Sequence, residues 1–180
     1  MRRALLVGLL LFSALGVQAK KPAPTPENLT NFQLSPVYSR WLIGAVYYIA
    51  SEREIDRYLG LSDDAAAKRF IDAFWERRDS NGAGLGNPLL ETYRKRTARA
   101  DVLYDQPPIA GHQTDRGTIY VLYGPPDKTE IQTATELNVP PLEVWSYPER
   151  PVGLDGKKAR PRFEFILEPD GTARLTRKPL

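Results

Sequence analysis

The chain has 180 residues, with 25 Lys and Arg against 22 Asp and Glu, a single His and no Cys. The lack of cysteine excludes a disulfide framework and a cysteine lipid anchor, and with one His it leaves too few soft ligands for zinc. Arg2 and Arg3 account for most of the net charge of +3, so beyond them 23 basic residues face 22 acidic ones. The local clusters Arg94-Lys95-Arg96 with Arg99 and Lys157-Lys158 do not make the concentrated basic face that nucleic acid requires.

Met1-Arg2-Arg3, the apolar run Ala4 to Val17 and the closing Val17-Gln18-Ala19 have the charged start, greasy middle and small-residue end of a Sec signal peptide, here residues 1–19. The run falls short of the roughly 18 apolar residues that cross a bilayer. The expected product is a periplasmic or secreted chain with no integral membrane segment after cleavage. Residues 20–35 are expected to form a flexible linker, since Lys20 to Asn31 carries three prolines and no apolar period. One domain follows over residues 36–180, helical over 36–104 and strand-rich over 117–180.

Pro36 suits a first helical position, and Val37, Trp41, Ala45 and Tyr48 with Leu42, Ile43 and Val46 predict a helix packed on several sides. Ser51-Glu52-Arg53-Glu54 fits a capping box opening a helix that runs to Leu59 and stops at Gly60. Ser62-Asp63-Asp64 starts the next, whose Ala66, Phe70, Ile71, Phe74 and Trp75 recur at helical spacing before Arg77-Arg78-Asp79. Asn87-Pro88 starts a long helix to Tyr104. A loop crosses to the strands, of which Gly117 to Tyr123 is expected to be central, being apolar on both alternating sets. After a polar connection come strands at Glu143–Tyr147, at Phe163, Phe165 and Leu167, and, past the Pro169-Asp170-Gly171 turn, at Thr172–Arg177. Helices first and strands after predict an α+β fold, with N-terminal helices packed on a small C-terminal antiparallel sheet.

Phe74-Trp75-Glu76-Arg77-Arg78-Asp79, Tyr93 with Arg96, Gly111-His112-Gln113-Thr114-Asp115-Arg116-Gly117, Tyr123-Gly124-Pro125-Pro126-Asp127 and Trp145-Ser146-Tyr147, in this order and spacing, resemble the GWxTD domain family of exported bacterial proteins. The resemblance implies export and architecture rather than chemistry. Here His112 stands for the family's Trp, and Ser80 for the Pro after Arg-Asp. The segment from Tyr123 to Thr176 also loosely resembles small modules of outer-membrane assembly lipoproteins, which bind partners and catalyse nothing.

The residues that attract a functional reading are Arg78, Asp79, Gly111, His112, Thr114, Asp115, Arg116 and Gly117. His112 with Asp115 invites an acid–base pair, or an oxygen-rich metal site completed by Asp79 or Asp127. No nucleophile accompanies them, so no catalytic residue, metal or cofactor is assigned. The structural alternative is a latch in which Asp115 accepts backbone amides, Gly117 gives backbone freedom and Arg116 pairs with a neighbouring carboxylate, while Arg78 satisfies helix-end carbonyls and Asp79 caps the following loop; the functional version has Asp79 and Arg116 meeting as a buried pair. Trp75, Tyr123, Trp145 and Tyr147 are candidates for an aromatic cleft, or for core. The expectation is a non-enzymatic exported domain that binds a protein or envelope component, with strand addition at the C-terminal strand as the mode. The alternative is an envelope hydrolase or carbohydrate-acting enzyme that uses His112 and Asp115.

Overall fold

The computed structural model describes residues 24–82, 86–133, 139–177 and 179, so the expected leader lies outside the described residues. The helices are α1 (Pro36–Ser39), α2 (Ala45–Ile49), α3 (Glu52–Leu59), α4 (Asp64–Glu76), α5 (Pro88–Tyr104) and α6 (Asp115–Tyr123). The strands β1 (Lys128–Gln132), β2 (Leu142–Ser146), β3 (Arg162–Leu167) and β4 (Ala173–Leu175) form one antiparallel sheet in that order. The α+β class and the placement of the helices ahead of the sheet agree with the expectation.

Three helix starts follow from local chemistry. The amide of Glu54 donates to Ser51 Oγ at 3.4 Å and that of Ser51 to Glu54 Oε2 at 2.9 Å, a reciprocal capping box. Asp63 accepts from Ala66 N at 2.8 Å to open α4, and Asn87 from Leu90 N at 3.0 Å to open α5, with Pro88 at its first position.

Four expectations change. Gly117–Tyr123 is the helix α6, not a strand: Thr114 caps it, Gly124 at φ 85° ends it, and six of its nine residues are buried. A short helix buried all round shows no amphipathic period, and its β-branched Thr118, Ile119 and Val121 imitate a strand. The single helix predicted from Pro36 is two short ones, because Gly44 at φ 89° breaks it. The linker is ordered at its C-terminal end, where Leu29, Asn31 and Leu34 are buried. Asn31 Nδ2 donates to the carbonyls of Tyr58 at 3.0 Å and Leu61 at 2.8 Å, closing the end of α3, a long-range bond that leaves no periodic trace. Finally, the polar connection contains β1, Lys-Thr-Glu-Ile-Gln, which is exposed along its length and lacks the apolar alternation that marks a strand.

Two cores result. Leu29, Leu34, Leu42, Val46, Tyr58, Phe74 and Trp75 join the N-terminal segment to α2, α3 and α4. Ile119, Leu122 and Tyr123 of α6 meet Trp145, Phe163, Phe165 and Leu175 on one face of the sheet. Tyr93 of α5 packs against both.

An ion-pair node fastens α3 to α4. Arg78 reaches Glu54 Oε2 at 2.7 Å and Oε1 at 3.0 Å, Arg77 adds a bond at 3.0 Å, and Arg78 also donates to the carbonyls of Phe74 and Ile49. The guanidinium of Arg78, with Ser51 and Arg77, holds the Glu54 carboxyl far below the usual carboxylate range against the opposing effect of burial. A carboxyl depressed in the fold contributes fully above its ordinary value of 4.5 and loses that contribution as pH falls below it. Glu54→Gln is expected to cost about 2 kcal/mol at neutral pH. The gap from wild type should narrow on acidification below pH 4.5, as followed by urea unfolding at both pH values.

Candidate functional site

The region of interest is the wrapping of α6. The turn Gly111–Gln113 lies against α5 so closely that a Cβ on Gly111 would run into the Ala100 carbonyl, and one on Gly117 would run into the Gly111 carbonyl. A Cβ on Gly44 would lie 2.7 Å from His112 O. Backbone therefore touches backbone at three places, and only glycine has the shape for it.

Thr114 is buried, donates through Oγ1 to Gly111 O at 2.7 Å and accepts from Gly117 N at 3.0 Å. Asp115, beside it, accepts through Oδ2 from Leu175 N at 2.7 Å and so bonds the first turn of α6 to the outer edge of β4. Arg116 pairs with Glu143 Oε2 at 3.2 Å, and Glu143 Oε1 takes the Trp145 indole N–H at 2.7 Å. At the far end, Arg96 of α5 donates to the carbonyls of Val121 at 3.1 Å and Leu122 at 2.8 Å, and Tyr147 Oη donates to Gly124 O at 2.9 Å. These bonds satisfy end groups of a buried helix that water cannot reach, and the Arg96 cation lies at the negative end of the helix dipole.

His112 and Asp115 do not pair. His112 Nδ1 lies 2.7 Å from Asp101 Oδ1, and its backbone amide donates to the same oxygen at 2.8 Å. The carboxylate accepts, so Nδ1 carries the proton. Asp79 and Arg116 do not pair either: Asp79 accepts from Asn81 N at 3.0 Å, Arg78 is held by Glu54 and Arg116 by Glu143. Among the described residues no group of three or more His, Asp and Glu is placed to hold a metal.

The four aromatics do not line one cleft. Trp75 tilts against Tyr93 at 4.7 Å in the helical core, whereas Tyr123, Trp145 and Tyr147 belong to the sheet core, and all four are buried. Burial pushes the phenols of Tyr123 and Tyr147 up, that of Tyr104 to about 12 and that of Tyr93 to about 12. Two surface features remain. A groove of about 500 Å³ runs between α4 and α5 over Ile71, Trp75, Leu90 and Tyr93. A cavity of about 80 Å³ lies beside Asp115, lined by Tyr47 and Tyr48, and the Tyr48 phenol is raised by burial first and by the Asp115 charge second.

The partners Asp101, Glu143 and Glu54 escape a sequence reading as a set. Only Glu54 carries a local signal, its capping box, and that signal gives no hint of Arg78. Arg96 sits one turn after Tyr93, but its target carbonyls are 25 and 26 residues away.

Gly117→Ala is expected to destabilise the domain by about 3 kcal/mol through overpacking. Asp115→Ala should cost about 2 kcal/mol by leaving the Leu175 amide without its acceptor. Gly82→Ala, where the added methyl meets nothing within 4 Å, is the comparison despite its φ of 78°. Urea unfolding midpoints check all three, and a Gly117→Ala midpoint no lower than that of Gly82→Ala would contradict the close backbone approach.

Residues 35–170, from the cap of α1 to the β3–β4 turn, match the GWxTD domain. No curated protein and no solved structure matches the sequence. The match spans most of the chain and takes in the glycine contacts, the Thr114 cap and Asp115, though not its partner Leu175, and on it the chain belongs to the GWxTD domain family.

Proposed function

We propose that this protein is an exported, non-enzymatic interaction domain, periplasmic or secreted, which binds an extended segment of a partner protein as an additional strand on β1. The observation that carries the reading is the difference between the two edges of the sheet. β4 is the edge expected from sequence to accept a strand, but its Leu175 amide is already taken by Asp115. Among the described residues β1 pairs on one side only, with β2, and all five of its residues are exposed. A strand edge open in this way offers main-chain donors and acceptors to an extended peptide.

The motif residues support the same reading by what they are used for. Thr114, Asp115, Arg116 and His112 are each engaged with backbone or an acidic partner inside the fold. The hydrolase alternative needs His112 and Asp115 to converge, and their separate partners place them on different contacts. The leader read in residues 1–19 supports export.

The test is hydrogen exchange on the mature domain, alone at a dilution where it sediments as a monomer and in the complex captured from a cell-envelope extract. Amides of β1 are expected to exchange about tenfold or more slowly in the complex, with β4 unchanged. A stable complex in which β1 exchanges at its free rate would overturn strand addition.

A further inference from the structure

The residues of β1 identify one strand that fits this edge, and it is β1 itself. Two antiparallel strands from identical chains are related by a two-fold axis, so that each residue meets its counterpart by the same operation. The axis must pass through a residue, because an axis between two residues would set outward-facing peptide groups against inward-facing ones. Centred on Lys128, the pairing places lysine against lysine; centred on Glu130, glutamate against glutamate. Centred on Ile131, Glu130 of each copy faces Gln132 of the other, and no opposite charges meet within the strand. Centred on Thr129, Lys128 of each copy faces Glu130 of the other, and Thr129 faces Thr129.

Both charges lie on the sheet face away from the helices. Register places Lys128 and Glu130 with Ser146 and Val144, while Thr129 and Ile131 align with Trp145 and Glu143 on the helix side. In the isolated chain Lys128 bridges to Glu130 of its own strand, with both side chains well exposed, an arrangement of little energetic value. Pairing about Thr129 would exchange that contact for two directly opposite ones between chains. On the helix side, Ile131, 58% exposed despite facing inward, would lie diagonal to Thr129 of the second copy, within reach of its methyl.

We infer that β1 pairs with β1 of a second copy in antiparallel register about Thr129, joining two four-stranded sheets into one of eight strands. The inference rests on the reading of β1 as the open edge and names the partner as the chain itself. The register carries its own specificity: it is held by opposite charges, and the neighbouring registers on Lys128 and Glu130 are disfavoured by like ones.

Sedimentation equilibrium on the mature protein tests it. Wild type is expected to form dimers that weaken as salt rises. Lys128→Glu and Glu130→Lys, both at exposed positions, should each self-associate about tenfold more weakly or worse. An equimolar mixture of the two variants should associate again, because the paired glutamates of one face the paired lysines of the other. The double exchange Lys128→Glu with Glu130→Lys should restore self-association in a single chain. A wild type that stays monomeric overturns the inference, as do single variants that dimerise like wild type or a mixture that does not associate. Strand addition by a different protein is decided separately, by whether β1 amides are protected in a captured complex.

Discussion

The fold depends on three contacts of backbone on backbone with no side chain between them. Gly111 lies on the carbonyl of Ala100, Gly117 on the carbonyl of Gly111, and Gly44 beside the carbonyl of His112. This draws α6 into the centre, between α5 and the sheet, and α6 then brings an obligation: its end groups are away from water and each needs a partner. Thr114 serves the first turn, while Arg96 and Tyr147 serve the last turn and the residue after it. Burial lowers the Arg96 pKa, and the neighbouring Tyr120 and Tyr147 oppose that effect. The spacing Gly-x-x-Thr-Asp-x-Gly is therefore a packing formula. Its two glycines set the distance, its threonine starts the helix, and its aspartate fastens the helix to the sheet.

The same geometry explains how His112 can stand where the family has a tryptophan. The side chain points away from the glycine contacts toward Asp101 and keeps 24% of its surface exposed. What the motif contributes at this position is backbone: the His112 carbonyl lies against Gly44 and its amide bonds Asp101. An imidazole that reaches Asp101 through Nδ1 adds a polar link to α5 without disturbing the neighbouring glycines. The latch is built from Gly111, Thr114, Asp115 and Gly117, so an indole is not required to form it.

Much of this was legible in the sequence wherever local chemistry decides. The capping box at Ser51, the Ser62-Asp63-Asp64 start, the Asn87 cap and the Phe163-Phe165-Leu167 alternation all announce elements where the structure has them, with Asp63 rather than Ser62 as the cap of α4. The failures share a cause. α6 is buried on every side, so its pattern cannot separate helix from strand, although Thr-Asp followed nine residues later by Gly is a cap-to-cap signature that could have decided it. β1 is exposed on every side, so it has no apolar period at all. Periodicity reports a boundary between core and water; β1 lies wholly on the water side of it, and from Gly117 to Tyr123 every residue of α6 but the half-buried Tyr120 lies on the core side. The pairings at the site, Arg78 with Glu54, His112 with Asp101 and Arg116 with Glu143, join positions 24, 11 and 27 residues apart, and only packing chooses among the many possible partners.

The two sheet edges then carry opposite consequences of one economy. At β4 a side chain from α6 takes the place of a neighbouring strand, which spends the edge on holding the fold together. At β1 no such group intervenes among the described residues, and the edge is left to Lys128, Thr129 and Glu130. Charges on an edge are the usual means of refusing indiscriminate strands, because an apolar or wrongly charged segment would have to bring its own side chains against them. Refusal is selective when the charges alternate in sign. A strand whose own charges answer the pattern meets two favourable pairs and no repulsion, whereas one shifted by two residues meets repulsion. The order Lys-Thr-Glu is therefore both a guard against aggregation and a recognition sequence, and the simplest strand that satisfies it is its own copy run in the opposite direction.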